Sequence, residues 1–347
     1  MINTNVSTAA TVAYFGEVYP EQPTVARVLF PARRKTSLEL SMIKGTRGVI
    51  PSLAPSAFDV KSTLRSRGQI ELTKTQMPYF KEGIPFTEED QMQVNLYGEN
   101  MREEVLARFY DDAATLIKAA EIVSERMAFQ LLFPADGLPK ISFAENGATY
   151  AYTYGNAAWT AGHFTQLTGN DFWTATTTAD PMKNINTVCQ NLRANYGSTI
   201  RYLIMNSVTF GLMASTDAMK ARFIGRSLNF ALSDNDVREV VRREAGLEIV
   251  LVDETYVDTD GTSHKYVPDG YVSFVPGGAL GATYRAVTPA EARLRGNSNA
   301  EVTVTESGIA VSREVLGDPV LETIIVSQIV LPTFERMDEV GLMKVIA

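Results

Sequence analysis

Apolar residues recur at steps of three and four throughout residues 100–132, the longest periodic pattern in the chain. This spacing places them on one face of a helix with 3.6 residues per turn, while charged residues of alternating sign fill the opposite face. Pro134 and Gly137 prevent the helix from continuing. The pattern predicts a helix about 50 Å long, a spine for other elements, with its charged face turned toward water or a polar partner. The apolar face contains Met101, Val105, Phe109, Ala113, Leu116, Ala120, Val123, Met127 and Leu131.

Strict alternation of apolar and polar residues predicts strands before this helix. Residues 37–43 and 69–73 alternate, and the glycines and prolines between them mark an irregular tip. Residues 33–85 are therefore predicted to form a long two-stranded excursion. Because it contains too few large apolar residues to fold alone, we expect a partner chain to stabilise it. Residues 1–32 are polar and interrupted by prolines without a helical period, which predicts an extended arm.

A second compact unit is predicted after the long helix. Asp180 suits a helix N-cap, Pro181 suits the first helical position, and Gly197 ends the pattern. Further short helices and strands follow, so residues 180–289 are predicted to form a mixed unit. Residues 301–331 return to strands and end in a run that is apolar on both faces, as expected in the interior of a sheet. This sheet is predicted to pack against the long helix, with the mixed unit inserted between them.

Charge is distributed unevenly along the chain. The net charge is -8, yet residues 33–82 contain ten Lys and Arg against four Asp and Glu. A basic segment in an otherwise acidic protein argues against a general nucleic-acid binder and favours docking on the acidic body of another copy. A solvated basic loop without a partner remains an alternative. The predicted assembly interface consists of Arg33, Arg34, Lys35, Lys44, Arg47, Lys61, Arg65, Arg67 and Lys74 with Glu103, Asp111, Asp112, Glu121 and Glu125.

The sequence contains few of the residues that commonly act in catalysis or metal binding. The two histidines, His163 and His264, are far apart in sequence, and no pair has the spacing of a metal site. Cys189 is the only cysteine and lies on an apolar helix stripe, which favours a buried small residue over a nucleophile. No apolar run approaches the length of a membrane span, and residues 1–11 lack the features of a signal peptide. No enzyme, cofactor or metal site is predicted.

Three other segments allow a functional and a structural interpretation. The aromatic-rich residues 133–179 are compatible with stacking on bases or sugars, but the scarcity of nearby Lys and Arg favours packing. Residues 277–281 (GGALG) lack the Lys-Ser/Thr of a phosphate loop, which favours a turn between strands. The acidic residues between Asp253 and Asp260 do not follow the order of an EF-hand, which favours carboxylates in solvent on a hairpin.

Several short motifs resemble those of one known family. They are 202–206 (YLIMN), 249–256 (IVLVDETY) leading to Asp260-Gly261, 267–272 (VPDGYV), 277–281 (GGALG), Thr288-Pro289, Asp318-Pro319, Gln328 and Leu331-Pro332. The order of parts is an arm, an extended loop, a long helix, an inserted compact domain and returning strands. In these motifs and in this order, the chain resembles the lambda-type major capsid proteins of tailed bacteriophages, which have the HK97-like capsid fold.

The resemblance implies an α+β fold with five parts. These are an N-terminal arm (1–32), an extended β-hairpin loop (33–85), a peripheral domain with the spine helix and a β-sheet (86–179), an inserted axial domain (180–289), and the peripheral return strands with the C-terminus (290–347). It implies an icosahedral head shell of hexamers and pentamers, found in the virion and assembled in the host cytoplasm. A scaffold protein, a portal and a decoration protein are the implied partners, with DNA enclosed without sequence-specific binding and no membrane.

Two other functions remain open from the sequence. A compartment shell of the encapsulin type would have the same fold and would enclose a protein cargo instead of DNA. A soluble enzyme would use Asp253, Asp258 or His264 and would remain small in solution.

Overall fold

The computed structural model describes residues 7–20, 22–45, 70–90, 92, 99–145, 148–224, 232–258, 260–294, 301–317 and 320–347. The helices are α1 (Thr8–Val18), α2 (Val25–Leu29), α3 (Glu99–Leu132), α4 (Ala157–His163), α5 (Pro181–Tyr196), α6 (Ser207–Ser215), α7 (Asp217–Ile224), α8 (Asp234–Ala245) and α9 (Pro289–Leu294). The strands are β1 (Ala32–Lys35), β2 (Glu39–Gly45), β3 (Ile70–Gln76), β4 (Tyr79–Phe86), β5 (Lys140–Glu145), β6 (Ala148–Thr153), β7 (Phe164–Gln166), β8 (Ile200–Met205), β9 (Glu248–Leu251), β10 (Thr255–Val257), β11 (Ser263–Lys265), β12 (Tyr271–Pro276), β13 (Thr283–Ala286), β14 (Glu301–Val304), β15 (Ala310–Gly317), β16 (Val320–Pro332) and β17 (Gly341–Lys344).

The chain divides into two compact units. Unit 1 comprises Met1–Met42, Thr73–Met127 and Gly281–Thr333, and unit 2 comprises Ile43–Leu72, Ala128–Leu280 and Phe334–Ala347.

The long helix α3 forms as predicted, beginning one residue earlier. Its residues Phe109, Ala113 and Ile117 are buried in one cluster with Ile324 and Val326 of β16. The predicted packing of the apolar return strand against the long helix is therefore confirmed.

The sheet of unit 1 is centred on β16. Its strand order is β1-β13-β16-β15-β14, and β4 pairs with β16 as well. One face of β16 packs on α3, where the Gln328 Nε2 atom donates a hydrogen bond to the Ala120 carbonyl oxygen at 2.5 Å. Because side chains alternate along a strand, Ile329 lies on the opposite face.

The prediction of an extended arm without helices is wrong for residues 8–29. Helix α1 buries Thr8, Thr11 and Phe15, and its threonine hydroxyls find partners: Thr11 donates to the Ser7 carbonyl oxygen, and Thr8 bonds to the Thr303 hydroxyl at 2.8 Å. Threonine and alanine blur the apolar period, so the sequence pattern misses a helix that tertiary packing stabilises.

The predicted two-stranded excursion of residues 33–85 is shorter in the structure, because β1 and β4 at its two ends pair with β13 and β16 in the sheet of unit 1. Strands β2 and β3 pair with each other in a separate two-stranded sheet. The predicted tip, residues 46–69, lies outside the described residues. The site residues that fall on this tip, and are likewise outside, are Arg47, Lys61, Arg65 and Arg67.

Unit 2 contains a five-stranded sheet in the order β7-β17-β12-β8-β9. Helix α5 begins as predicted, because an oxygen of the Asp180 carboxylate accepts a hydrogen bond from the Lys183 amide at 3.1 Å, and it ends at Gly197 with φ 68°. Residues 341–344 pair with β12 and β7 in this sheet. They therefore depart from the predicted grouping of residues 290–347 with the peripheral return strands.

The aromatic run of unit 2 serves packing. Tyr154, Trp159 and Trp173 are buried, Trp173 completely, and Trp173 belongs to the core cluster of the unit. The glycine-rich residues 277–281 form a turn between β12 and β13, as predicted.

Candidate assembly interface

The described basic residues of the predicted interface lie on β1, an edge strand. β1 pairs in parallel with β13, so its outer side has no neighbouring strand in the described part of the sheet. Arg33 and Arg34 are exposed, and Lys35 is half-buried. These three cations differ in what they contact within their own chain.

Arg34 is engaged within its own unit. A guanidinium nitrogen of Arg34 lies 2.8 Å from the Glu291 carboxylate, whose side chain is almost fully buried. The ammonium group of Lys35 lies 5.9 Å from the centre of the Tyr284 ring. Arg33 forms no ion pair with any residue that the structure describes. Of the three, Arg33 is therefore the most available to a partner.

Two predicted acidic residues lie exposed on α3. Asp111 and Asp112 are on the side of the helix away from the sheet, as is Glu104. None of these three carboxylates forms an ion pair within the described part of the chain. Arg108 is exposed on the same side of the helix, within one turn of each of them, so the outer side of α3 carries charges of both signs.

For Glu121 and Glu125, the polar partner that the sequence pattern allowed lies within unit 1 and not on another copy. Both are buried, with only 3% and 7% of their surface exposed. Arg27 of α2 lies 2.6 Å from the Glu121 carboxylate and 3.9 Å from that of Glu125, and the Thr24 hydroxyl donates to Glu125 at 3.0 Å. Buried charges require partners of this kind, so these two carboxylates stabilise α2 against α3 within unit 1.

For the remaining predicted residues, the structure describes the helix or strand in which each one lies. Lys44 lies in β2, Lys74 in β3 and Glu103 in α3. The structure brings no member of the basic set into an ion pair with a member of the acidic set among the side chains that it describes.

The sequence analysis missed residues that contact these groups. Arg27 and Glu291 neutralise predicted interface residues, and the buried Arg285 donates to Gln328 at 3.0 Å and to the Ser124 hydroxyl at 3.2 Å. The available sequence signal was Thr24, a residue type that favours helix N-caps. Its hydroxyl accepts a hydrogen bond from the Arg27 amide at the start of α2.

The two histidines lie in different settings in unit 2. His163 is buried against Trp159 and Tyr196, with ring centres 4.7 and 4.0 Å away, and its Nδ1 atom donates to the Val340 carbonyl oxygen at 2.8 Å. His264 is exposed on β11 and stacks on Tyr256. Burial lowers the pKa of His163, and burial raises the pKa of the Cys189 thiol to about 11. The described residues contain no cluster of three or more His, Cys, Asp or Glu that could hold a metal ion.

The buried imidazole of His163 predicts an acid-sensitive fold. The unfolded chain binds a proton at the ordinary histidine pKa of about 6.5, whereas the folded protein resists it. The free energy of unfolding should therefore fall as the pH drops below about 6.5, by at most about 1.4 kcal/mol per pH unit. Urea unfolding at several pH values measures this slope.

His163→Asn keeps a donor for the Val340 carbonyl and removes the titrating group, so its slope should be smaller than that of the unmodified protein. His264→Asn, on the exposed strand, is the control and should leave the slope unchanged. Equal slopes for all three proteins would contradict the assignment.

The family model described as phage major capsid protein E matches residues 7–345. The chain belongs to this family. No curated protein sequence matches the chain.

Solved structures agree with this capsid protein in fold. The putative capsid protein of a prophage of Escherichia coli CFT073 is 14% identical, with 99% of each chain covered and a TM-score of 0.62. A phage-related protein from Bordetella bronchiseptica RB50 is 13% identical, with 96% of each chain covered and a TM-score of 0.56. The predicted mixed α and β fold of the HK97-like type is confirmed.

Membership in the family establishes the general function. This capsid protein is a structural component of the head shell of a tailed phage, and its place is the virion shell. The family indicates a structural role instead of catalysis. None of the described helices combines the length and hydropathy that crossing a bilayer requires.

Proposed function

We propose that the extended loop, residues 33–85, joins neighbouring copies of this capsid protein by docking its basic residues on exposed acidic residues of α3. The copies assemble as hexamers and pentamers into an icosahedral shell that encloses DNA without reading its sequence. The observation that supports the docking is the set of exposed charges without an ion pair in the described part of the chain: Arg33 on β1, and Asp111 and Asp112 on α3.

Electrostatics sets the register of such a contact more than its strength. Ion pairs between exposed side chains contribute roughly 0 to 1 kcal/mol each, so apolar burial must supply most of the affinity. A closed shell repeats every contact many times, which makes weak individual contacts sufficient. Reversing charges on one surface should consequently affect assembly much more than folding.

Arg65→Glu combined with Arg67→Glu tests the loop. These residues belong to the predicted tip, and the double variant should form few or no shells while retaining the circular dichroism spectrum and melting temperature of the unmodified subunit. Electron microscopy of sedimented particles measures the yield.

Lys183→Glu combined with Arg193→Glu is the matched control. Both side chains are exposed on α5, and neither forms an ion pair with a described residue. The control changes the net charge equally and should assemble. Normal shells from the Arg65/Arg67 variant would refute the docking.

The family membership also supports a wider set of partners. A scaffold protein during assembly, a portal and a decoration protein complete the proposed head, and assembly takes place in the host cytoplasm. The protein itself performs no catalysis. Nuclease-protected DNA inside purified particles is the expected content, and a protein cargo in its place would favour a compartment shell.

A further inference from the structure

The hairpin of β5 and β6 in unit 2 has one covered edge and one open edge. The two strands form a separate two-stranded sheet with a regular register. On the outer edge of β5, the Ser142 amide donates to the Gln130 side-chain oxygen at 3.4 Å, and the Ser142 carbonyl oxygen accepts from the Gln130 side-chain nitrogen at 3.5 Å. Gln130 of α3 therefore takes the place that a neighbouring strand would occupy beside β5.

The same contact shows which backbone groups of β6 point outward. In an antiparallel pair, residues whose N–H and C=O groups face the partner strand alternate with residues whose groups face away. The backbone of Ser142 faces away from β6, so that of Ala151, which pairs with it, faces away from β5. Tyr154 agrees with this alternation, because its amide donates to the Pro139 carbonyl oxygen at 2.9 Å. The outward-facing residues of β6 are Thr149, Ala151 and Thr153.

Strand β6 lacks the features that protect an open edge. Proteins usually block such an edge with a charged side chain, a proline or a β-bulge. Residues 148–153 (ATYAYT) contain no charged residue and no proline, and their register with β5 shows no bulge. Ala151 and Thr153 are exposed, and Tyr150 is 41% exposed. In the part of the chain that the structure describes, no third strand pairs with β6, so this edge can accept a strand from outside.

The edge of β6 is complementary to itself. Two copies of β6 can run antiparallel with Ala151 opposite Ala151. Thr149 of each copy then lies opposite Thr153 of the other, and every outward-facing amide and carbonyl group is paired. Tyr150 likewise lies opposite Tyr152. Threonine pairs and aromatic pairs are favourable across strands, and the small alanine leaves room at the symmetry axis.

We infer that β6 joins two copies of this chain by antiparallel β6–β6 pairing about a two-fold axis at Ala151. A second copy is the partner because the edge complements itself and because a shell brings many copies together at high local concentration. The resulting sheet has four strands in the order β5-β6-β6-β5. It cannot grow further, since Gln130 covers the outer edge of β5 in each copy. The inference rests on the shell function of the family and not on the docking of the extended loop.

Disulfide cross-linking tests the register of this contact. Cys189→Ala first removes the only native thiol. In that background, Ala151→Cys should give a covalent dimer on oxidation, because opposite residues of this kind have Cα atoms about 5.5 Å apart, within the range of a disulfide. Assembled particles and concentrated free subunits are oxidised in parallel, and electrophoresis without reducing agent measures the dimer fraction.

Thr153→Cys in the same background is the matched control. Its side chain is exposed on the same edge, but the two-fold axis separates the two copies of Thr153 by four strand positions, roughly 13 Å. Thr153→Cys alone should therefore give no dimer. Thr149→Cys combined with Thr153→Cys in one chain should restore the dimer, because these two positions lie opposite each other across the contact.

Ala151→Pro tests whether the contact matters for assembly. Proline removes the outward-facing amide and leaves the hydrogen bonds between β5 and β6 intact, as it does at the open side of an edge strand. Ala151→Lys is the second variant and places two like charges opposite each other at the axis. Each variant should keep the melting temperature of the unmodified subunit and lower the shell yield by about tenfold or more, because losses at many contacts multiply.

The outcomes separate this inference from the proposed function. A dimer of Ala151→Cys in either sample supports the pairing, and its absence from both would overturn it. Equal dimer fractions for Ala151→Cys and Thr153→Cys would show contact without a register and would overturn it as well, as would normal shells from folded Ala151→Lys. If Arg65→Glu with Arg67→Glu assembles normally while Ala151→Cys still gives the dimer, the loop docking fails and the β6 contact stands.

Discussion

Arg27→Met should lower the free energy of unfolding by about 3 kcal/mol, the lower end of the cost of removing one partner from a buried ion pair. The substitution preserves much of the side-chain volume but leaves Glu121 and Glu125 buried without their main counter-charge. Lys118 remains 3.3 Å from Glu121, which is why the lower end is expected. Urea unfolding followed by circular dichroism measures the loss.

Arg242→Met provides the control for this prediction. The Arg242 side chain is 72% exposed and lies 3.8 Å from the Glu248 carboxylate, so its ion pair is screened by water. Its loss should change the free energy of unfolding by less than about 0.5 kcal/mol. Similar effects of the two substitutions would contradict the view that burial makes the Arg27 pairs important.

Gly281→Ala should lower the free energy of unfolding by about 3 kcal/mol, the upper part of the usual range for overpacking. An added Cβ atom would lie 1.9 Å from the Thr333 carbonyl oxygen, and backbone atoms cannot move aside as a flexible side chain can. Thr333 is also fixed by hydrogen bonds, since its amide donates to the Ala282 carbonyl oxygen and its hydroxyl accepts the Ala282 amide. Thermal unfolding measures the effect.

Gly211→Ala is a control of opposite sign. Gly211 lies inside α6, and no heavy atom would come within 4 Å of the added Cβ. Alanine is preferred over glycine in a helix by about 1 kcal/mol, so this variant should be more stable than the unmodified protein. A Gly281→Ala variant that is more stable than the unmodified protein would contradict the expected clash with the Thr333 carbonyl oxygen.

The elements that local signals specify were predictable from the sequence. The long period of α3 gives its length, and its neighbouring proline and glycine give its end. Asp180 and Gly197 mark both ends of α5, and the excursion follows from alternation alone. These signals act over a few residues, so they do not depend on where the rest of the chain lies.

The elements that depend on distant residues were not predictable in the same way. Glu121 and Glu125 belong to an alternating charge pattern that usually faces water, and only the position of Arg27 on α2 makes them buried. Helix α1 depends on Thr303 and the core around Phe15, and β17 depends on β7 and β12. Long-range contacts of this kind leave no period in the sequence.

Sequence analysis identifies the charged residues of the candidate interface, but it does not identify their partners within the chain. The excess of Lys and Arg in residues 33–82 indicates a basic surface, and Asp111 and Asp112 are exposed on α3. The sequence does not reveal that Arg34 is paired with Glu291, because that contact joins segments far apart in the chain. Which cations remain available is decided by tertiary structure.

The position of β17 determines when unit 2 can complete its sheet during translation. Residues 341–344 fill an inner place in the sheet of unit 2, between two strands that a ribosome completes before residue 277. At about 5–20 residues per second, a ribosome needs several seconds to synthesise the residues between β12 and β17. During that time the place of β17 in the sheet is unfilled. Unit 2 can therefore finish folding only after residue 344 has been synthesised, and a shorter nascent chain cannot offer a completed unit 2 to a growing particle.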